Sequence, residues 1–293
     1  MRRRTDSRYN PHCLIRWRPR GDAISPCLEE SLSRTRSIFG ALTLSALLLS
    51  CGAPAADLAD DSRCILPTYP DTVRTDGQAV LLVWEFPDDP VYSSFVLPVD
   101  SAYLAYREAI RTDGADLEHP VADQPTPTTS EEAALWSDER FNGALARSGE
   151  AGIIEPIRCL DALLFSFQHG RVSQLAQPTE FLASVLRKEV NGESRLAIVF
   201  GAGEAMFPPK TVYGFDVVDE HQARGWRYWY ALHNHTIQRN GDLLALGTPA
   251  LSTSDVQLTR NLAAGSGLES ARVTNGFFTY SVPATKLGLL RSR

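Results

Sequence analysis

Two of the six histidines in this 293-residue chain lie two positions apart, in the stretch "ALHNHTIQ" that begins at Ala231. His233 and His235 end an aromatic, β-prone segment, and side chains two positions apart in a strand point to the same side of the sheet. One ion can therefore contact both rings. Asp255 follows in the tetrapeptide "STSD". Two histidines and a carboxylate, with a fourth position open to water, form the ligand set of a catalytic zinc site.

The two short motifs, "HNH" from His233 to His235 and "STSD" from Ser252 to Asp255, form the pattern H-x-H followed by S-x-x-D. This pattern resembles the signature of the JAMM (JAB1/MPN-type) zinc metallopeptidases. The resemblance implies that His233, His235 and Asp255 bind Zn²⁺ and that Ser252 helps to stabilise the oxyanion of the tetrahedral intermediate. Because bound zinc acidifies water and polarises carbonyl groups, the implied activity is hydrolysis of a peptide or isopeptide bond in a peptide or protein substrate.

The same resemblance implies a catalytic glutamate at the start of a strand well before the histidines, because such a site needs a carboxylate that is not a ligand to move protons. Glu180 lies 53 residues before His233. Glu189 and Glu193 lie 44 and 40 residues before it, and Glu193 directly precedes the apolar segment "SRLAIVFG". Glu180 is preferred because an amphipathic helix precedes it and a hairpin follows it. Glu193 ranks second.

The sequence departs from the JAMM pattern in two places. Thr236 follows the second histidine, where the family usually has proline. Between His235 and Asp255 lie 19 residues, more than is usual in the family, and the segment "RNGDLLALG" looks like an insertion with a turn at Asn240. The insertion leaves the ligand set intact and is expected to reshape the substrate groove.

Other functions compete for the same residues. The letters "HNHT" resemble the first metal motif of PHP-type phosphoesterases, but that barrel needs further ligands and no histidine follows His235. HNH nucleases place widely spaced ligands in a different module. A loop with two hydrogen-bonded histidines, or a non-catalytic JAB/MPN-like binding module on a lipoprotein scaffold, is the alternative to an enzyme. The two motifs together with an upstream glutamate favour the zinc hydrolase. His169 and His221 are isolated and are predicted to face solvent.

The elements that must position these residues are expected in a domain over residues 151–293. The patterns predict a helix over 155–168, strands over 178–190 and 194–201 joined by an Asn-Gly turn, a strand over 225–235, a helix over 254–267 capped by Ser252 or Ser254, and a strand or hairpin over 271–282. This order predicts an α/β (α+β) fold. The resemblance implies a JAB/MPN-like mixed β-sheet flanked by helices.

Residues 65–150 are expected to form an N-terminal α+β extension of that domain. The apolar run over 79–86 predicts a buried strand, and 100–114 predicts a helix that begins at an Asp cap and ends at a glycine. The Pro- and Thr-rich segment 119–132 reads as a loop or linker. A second capped helix is predicted over 137–152.

The first 64 residues are expected to be a signal and a tether. Residues 41–49, "ALTLSALLL", are apolar, follow two arginines and precede small residues, as is typical of a secretory signal. The letters "LLSC" ending at Cys51 resemble the lipobox of bacterial lipoproteins. The resemblance implies cleavage after residue 50, a lipid on Cys51, a tether over 51–64 and anchoring in the cell envelope. Gly52 favours the outer membrane because it replaces the aspartate that retains lipoproteins in the inner membrane.

Export changes the charge and the cysteine chemistry of the chain. Beyond residue 50 the chain has 20 basic and 31 acidic residues, a net charge of −11. Such a surface argues against a nucleic-acid partner, because phosphate neutralisation needs the opposite sign. With Cys51 on lipid, Cys64 and Cys159 are the remaining cysteines. The oxidising compartment permits a disulfide between them, and a buried core thiol at Cys159 is the alternative.

Overall fold

A mixed eight-stranded β-sheet forms the core of the unit Leu58–Arg293 in the computed structural model of the protein, which describes residues 63–67, 69–113, 117, 129–235, 238–240, 243–245 and 247–292. The expected signal, the lipid site Cys51 and most of the tether lie outside these residues. So does most of the predicted linker over 119–132. Among the residues that the structure describes, no helix has the length and apolar character needed to span a membrane.

The strands are β1 (Asp71–Asp76), β2 (Ala79–Pro87), β3 (Ile153–Pro156), β4 (Phe181–Val190), β5 (Glu193–Ala202), β6 (Arg227–Asn234), β7 (Gln238–Asn240), β8 (Leu243–Ala245), β9 (Ser270–Thr274) and β10 (Phe278–Pro283). The sheet has the strand order β1-β2-β5-β4-β6-β9-β10-β3. All neighbouring strands are antiparallel except β6 and β9, which are parallel. A separate hairpin of β7 and β8 lies within the segment that looks like an insertion.

Helices cover both faces of the sheet. The helices are α1 (Ser101–Thr112), α2 (Ser130–Ser148), α3 (Cys159–Arg171), α4 (Phe215–Ala223) and α5 (Thr253–Ser266). Alternate residues of β5 point to opposite faces, as the two-residue period of a strand requires. Ile198 and Phe200 pack in the core that contains α1 and α3, whereas Val199 packs in the core that contains α4 and α5. Burial on both faces explains why β5 reads as a continuous apolar run.

Most elements around the histidine motifs agree with the sequence expectations. The hairpin of β4 and β5 turns at Asn191 and Gly192, which both have positive φ angles of 54° and 84°. The strand β6 ends at the histidines, the helix α5 begins after Ser252, and β9 pairs with β10. The mixed α/β fold class is therefore confirmed.

Several boundaries and elements differ from the expectations. The helix predicted over 155–168 was wrong at its start, because Glu155 and Pro156 belong to β3, which pairs with β10. The helix α2 begins at Ser130, earlier than predicted, so the end of the predicted linker is helical. The edge strand β1 and the helix α4 were not predicted. The side chains of β1 are nearly all exposed, so the strand lacks the alternation of apolar and polar residues that predicts a half-buried strand.

The 65–150 segment contributes to the same sheet as the histidine motifs, since β2 pairs with β5 from Val80 to Pro87. A disulfide between Cys64 and Cys159 ties the start of this segment to the first turn of α3, with a Cα–Cα distance of 5.6 Å across 95 positions. Closing so long a loop stabilises a fold by about 2–4 kcal/mol in typical cases, because it limits the unfolded chain.

Candidate metal centre

His233, His235 and Asp255 converge where β6 ends and α5 begins. The Nε2 atoms of the two histidines are 3.3 Å apart. The Oδ2 atom of Asp255 lies 3.3 Å from Nε2 of His233 and 3.2 Å from Nε2 of His235. The three ligand atoms thus form a nearly equilateral triangle. Within the described residues this is the one group of three or more His, Cys, Asp or Glu side chains whose ligand atoms could hold a metal ion.

The triangle has the dimensions of a tetrahedral metal site. Ligands arranged tetrahedrally at about 2.0–2.1 Å from an ion lie about 3.3–3.4 Å from one another. The observed separations of 3.2–3.3 Å match that spacing. Two imidazole nitrogens and one carboxylate oxygen also form a donor set that suits a divalent transition metal. The residues present therefore fit one ion with a fourth position left for water or substrate.

The local fold fixes each ligand. His233 lies inside the sheet, where it pairs with Leu182 of β4 and with Val273 of β9. Asp255 is the third residue of α5 and forms a capping box with Ser252. The amide of Ser252 donates to Oδ2 of Asp255 at 2.8 Å, and the amide of Asp255 donates to Oγ of Ser252 at 3.2 Å. The helix start therefore holds the carboxylate toward the strand end.

A backbone contact sets the tautomer of His235. Its Nδ1 atom lies 2.7 Å from the carbonyl oxygen of Thr248, so Nδ1 carries the proton and Nε2 is available to a metal. Burial would lower the pKa of His235, but the hydrogen bond and charge of Asp255, together with Glu180, raise it to about 9. Burial would raise the pKa of Asp255, and the two histidines hold it well below its usual range. The pocket thus favours a cation between these groups.

Glu180 lines the same pocket as His233 and Asp255. It directly precedes β4, and its amide donates to the carbonyl of Met206 at 2.7 Å. Burial raises the pKa of Glu180, the two histidines lower it, and Asp255 raises it further, with a net upward shift. A carboxylate with a raised pKa, close to metal ligands but not among them, can accept and return a proton.

The two rival glutamates lie at the other end of the hairpin. Glu189 pairs with Ser194, and Glu193 pairs with Val190 beside the turn. His233 pairs with Leu182, seven residues before Glu189 on the same strand. At about 3.3 Å per residue this separation is about 23 Å, so neither rival can reach the metal ligands.

Asn234, between the two histidines, holds the backbone on both sides of Glu180. Its Oδ1 atom accepts from the amide of Phe181 at 2.8 Å, and its Nδ2 donates to the carbonyl of Thr179 at 3.0 Å. The side chain is completely buried. The residue that separates the ligands therefore also positions the candidate base. A polar residue in a buried strand was the available sequence signal, and it was missed.

The N-terminal segment braces the loops that carry the ligands. The hydroxyl of Tyr106 on α1 donates to the carbonyl of Asn275 at 2.9 Å. Asn275 in turn donates from Nδ2 to the carbonyl of Gly247, next to the residue that orients His235. On α2, Glu139 accepts from the amide of Thr253 at 3.0 Å, in the first turn of α5. Hydrogen bonds from both helices thus hold the segments that carry or orient the metal-ligand candidates.

A cavity of about 410 Å³ opens beside the ligand triangle. Tyr213 lies on its wall, and burial, Glu180 and Asp255 together raise the pKa of this tyrosine. The Tyr213 hydroxyl makes no hydrogen bond in the part of the chain that the structure describes. Sequence reasoning missed Tyr213, since a lone tyrosine before a glycine carries no recognisable motif.

Ser252 and the isolated histidines need separate description. Oγ of Ser252 lies 2.8 Å from Oγ of Ser254, and Ser254 lines the cavity. The prediction that His169 and His221 face solvent was wrong, because both are buried. His169 accepts from the amide of Gln174, and His221 contacts Glu85. Each lies in a helix whose buried face the isolated sequence did not reveal.

Comparison of the chain with protein-family models, with curated proteins and with solved structures found no match. The geometry of the site therefore carries the functional argument.

Proposed function

We propose that this protein is a zinc-dependent hydrolase that cleaves a peptide or isopeptide bond, with a JAMM-like site and a JAB/MPN-like fold. The observation that carries the proposal is the juxtaposition of the triangle of His233, His235 and Asp255 with the half-buried carboxylate of Glu180. A metal-binding module without catalysis has no need of a proton-accepting carboxylate at this place.

The choice of zinc rests on the donor atoms and their spacing. Catalytic zinc sites combine three protein ligands of the His and carboxylate type with an open fourth position. The Nε2, Nε2 and Oδ2 atoms here supply that set at tetrahedral separations. The hydrogen bond from Nδ1 of His235 to a backbone carbonyl is the outer contact that fixes a ligating imidazole.

The chain supplies the remaining chemistry through its own side chains. A zinc ion bound at the triangle would acidify a water molecule and polarise the scissile carbonyl. Glu180 accepts a proton from the attacking water molecule and returns it to the leaving amide nitrogen. Water is thereby added across the C–N bond, giving a carboxylic acid and an amine.

Two hydroxyl groups are candidates to stabilise the oxyanion. Ser252 holds the position of the family's serine, and when its oxygen accepts both from the amide of Asp255 and from the hydroxyl of Ser254, its own proton can be donated to an oxyanion. Tyr213 is the second donor, because its hydroxyl is free within the described residues and its raised pKa keeps it protonated. Donors of this kind act on the charge that develops in the transition state.

The order of elements supports the JAB/MPN-like fold. A helix is followed by the β4–β5 hairpin, by β6 ending in H-x-H, and by α5 beginning in S-x-x-D. The 19 residues between His235 and Asp255 do not separate the ligands, because their atoms lie within 4.8 Å. The hairpin of β7 and β8 takes up part of the added length.

We place the protein in the cell envelope, anchored by a lipid on Cys51 and facing a peptide or protein substrate. The lipobox-like residues before Cys51 and the disulfide between Cys64 and Cys159 support an exported chain. The net charge of −11 beyond residue 50 supports a partner other than nucleic acid.

Metal analysis combined with a peptide-library digest tests the function. We expect about one zinc ion per chain in the purified protein, and loss of both zinc and cleavage in His233→Ala, because two ligands hold zinc far less tightly than three. A wild-type protein that takes up no zinc would reject the site. Stable zinc without cleavage of any peptide would favour the non-catalytic binding module.

A further inference from the structure

The cavity beside the ligand triangle has apolar walls. Side chains from three elements form them. These wall residues are Leu182 on β4, Ala231 on β6, and Leu258 and Leu262 on α5. Apolar walls next to a few polar groups are the usual form of a small-ligand site, and such sites span about 300–1,000 Å³. At about 410 Å³ the cavity can take one or two amino-acid residues.

Two exposed apolar side chains, those of Met206 and Phe207, form a lip beside this cavity. Met206 and Phe207 are 56% and 60% exposed, and Phe207 lines the cavity. Large apolar side chains this exposed beside a cavity indicate a binding surface. The amide of Glu180 donates to the carbonyl of Met206, so the lip is tied to the candidate base. A substrate that covers the lip is therefore held at a fixed position relative to the carboxylate.

One cation lines the cavity. Lys210 is exposed, and it is the single Lys or Arg among the lining residues. It makes no side-chain ion pair or hydrogen bond with the rest of the described chain. The turn that carries it is closed by a hydrogen bond of 3.2 Å from the amide of Tyr213 to its carbonyl. An unpaired cation at the mouth of an apolar cavity complements a ligand that combines apolar surface with an anion.

We propose that the substrate is a peptide that ends in a large apolar residue, whose side chain enters this cavity and whose free α-carboxylate pairs with Lys210. The inference rests on the proposed hydrolase function. The bond cleaved is the amide on the N-terminal side of that residue. Water adds to the carbonyl carbon, the amine of the last residue takes the proton returned by Glu180, and a shortened peptide and a free apolar amino acid result.

Matched peptides and one exposed substitution test the substrate class. The peptides are N-acetylated, end in Phe or in Ser, and carry either a free carboxylate or an amide. With the full zinc-loaded protein we expect kcat/KM to be about threefold to fivefold higher for the free Phe terminus than for the amidated one, as one ion pair to an exposed lysine gives. In Lys210→Met this ratio is expected to fall to about one, because neither terminus then has a cationic partner. Lys286→Met, which lies outside the cavity, serves as the control.

Binding measured by titration calorimetry separates this inference from the hydrolase itself. The free-carboxylate Phe peptide is expected to bind Glu180→Gln about threefold to fivefold more tightly than its amide does, and Lys210→Met in that background removes the difference. If wild-type protein cleaves nothing but shows this binding, the hydrolase fails and the ligand class stands. Equal affinity for the two termini, or tighter binding of the Ser peptide, would overturn the ligand class whether or not cleavage occurs.

Discussion

The two ends of the β4–β5 hairpin differ in chemistry although both carry glutamates. At the turn, Glu189 and Glu193 are exposed to solvent. At the open end, Glu180 is partly buried and shares a cavity with two metal-ligand candidates. The three glutamates lie at similar distances from His233 along the chain, so spacing alone barely distinguishes them. The register of β4 against β6 does distinguish them, because of the three it places Glu180 nearest to His233. The comparison shows that register, more than sequence distance, decides which carboxylate can serve the site.

Removing the carboxylate at each end in turn gives the largest expected contrast. We expect Glu180→Gln to lower kcat by about 10²–10⁴, because general acid–base catalysis contributes that much, while zinc content stays near one per chain. Glu193→Gln should retain wild-type kcat, since its side chain lies beside the turn. The measurements are steady-state kinetics on a cleaved library peptide and metal analysis of both variants.

The outcome that would break the comparison is specific. If Glu193→Gln lost activity and Glu180→Gln kept it, the register of β4 and β6 could not be as the structure has it. Loss of zinc in Glu180→Gln would instead make Glu180 a ligand.

Much of the open end could be predicted from the sequence, because its signals are local. The H-x-H spacing places two rings on one side of a strand, the Asn191-Gly192 pair marks the hairpin turn, and Ser252 marks the start of α5. What could not be predicted depends on distant partners. The strand β3 begins where a helix was expected because β10, more than 120 residues later, pairs with it.

Histidine burial shows the same limit. His169 and His221 read as isolated polar residues, and only packed helices reveal their partners, a backbone amide for one and Glu85 for the other. His221 contacts the carbonyl of Val217 and the carboxylate of Glu85, whereas His233 and His235 share the carboxylate of Asp255. Convergence of three ligand atoms, and not burial, distinguishes the candidate site.

Charge coupling at the open end predicts a pH-dependent stability for the metal-free protein. The folded-state pKa of His235 is about 9, above its ordinary value of about 6.5. Between these values the folded chain binds more protons than the unfolded chain. Stability from this group is therefore complete below pH 6.5 and is lost as pH rises through 9. The shift corresponds to a loss of up to about 3 kcal/mol in the free energy of unfolding.

Urea unfolding of chelator-treated protein between pH 6 and pH 10 measures this loss. Zinc-loaded protein should show the opposite trend over the lower part of the range, because ligands must lose their protons to bind metal. Asp255→Asn, which removes the carboxylate that raises the pKa, should flatten the metal-free profile. A metal-free wild type whose stability stays constant between pH 6 and pH 10 would argue against the coupled histidine.

Tyr213 gives a further difference between the two ends of the hairpin. Its hydroxyl is a hydrogen-bond donor on the wall of the cavity that Glu180 lines. We expect Tyr213→Phe to lower kcat by about tenfold to a hundredfold with KM and zinc content nearly unchanged, because the lost hydrogen bond forms in the transition state. Tyr69→Phe is the matched control, as Tyr69 is 90% exposed. A Tyr213→Phe enzyme with raised KM and unchanged kcat would assign the hydroxyl to ground-state binding.

Asn234 gives the smallest expected effect and the most direct test of positioning. Its side chain bonds the backbone on both sides of Glu180, so Asn234→Ala removes the side-chain acceptor of the Phe181 amide, whereas the carbonyl of Thr179 keeps its bond from Gln174. Loss of a buried partner costs about 1–3 kcal/mol, and Glu180 loses the support that aims it. We expect kcat to fall about tenfold while zinc content and KM stay unchanged.

Ser184→Ala removes a different buried hydrogen bond of β4, to Tyr228, and should lower stability without lowering kcat. If both variants lose stability equally and both keep wild-type kcat, Asn234 is a structural residue that happens to lie between two ligands, and the rigidity of β4 alone is enough to hold the base in place.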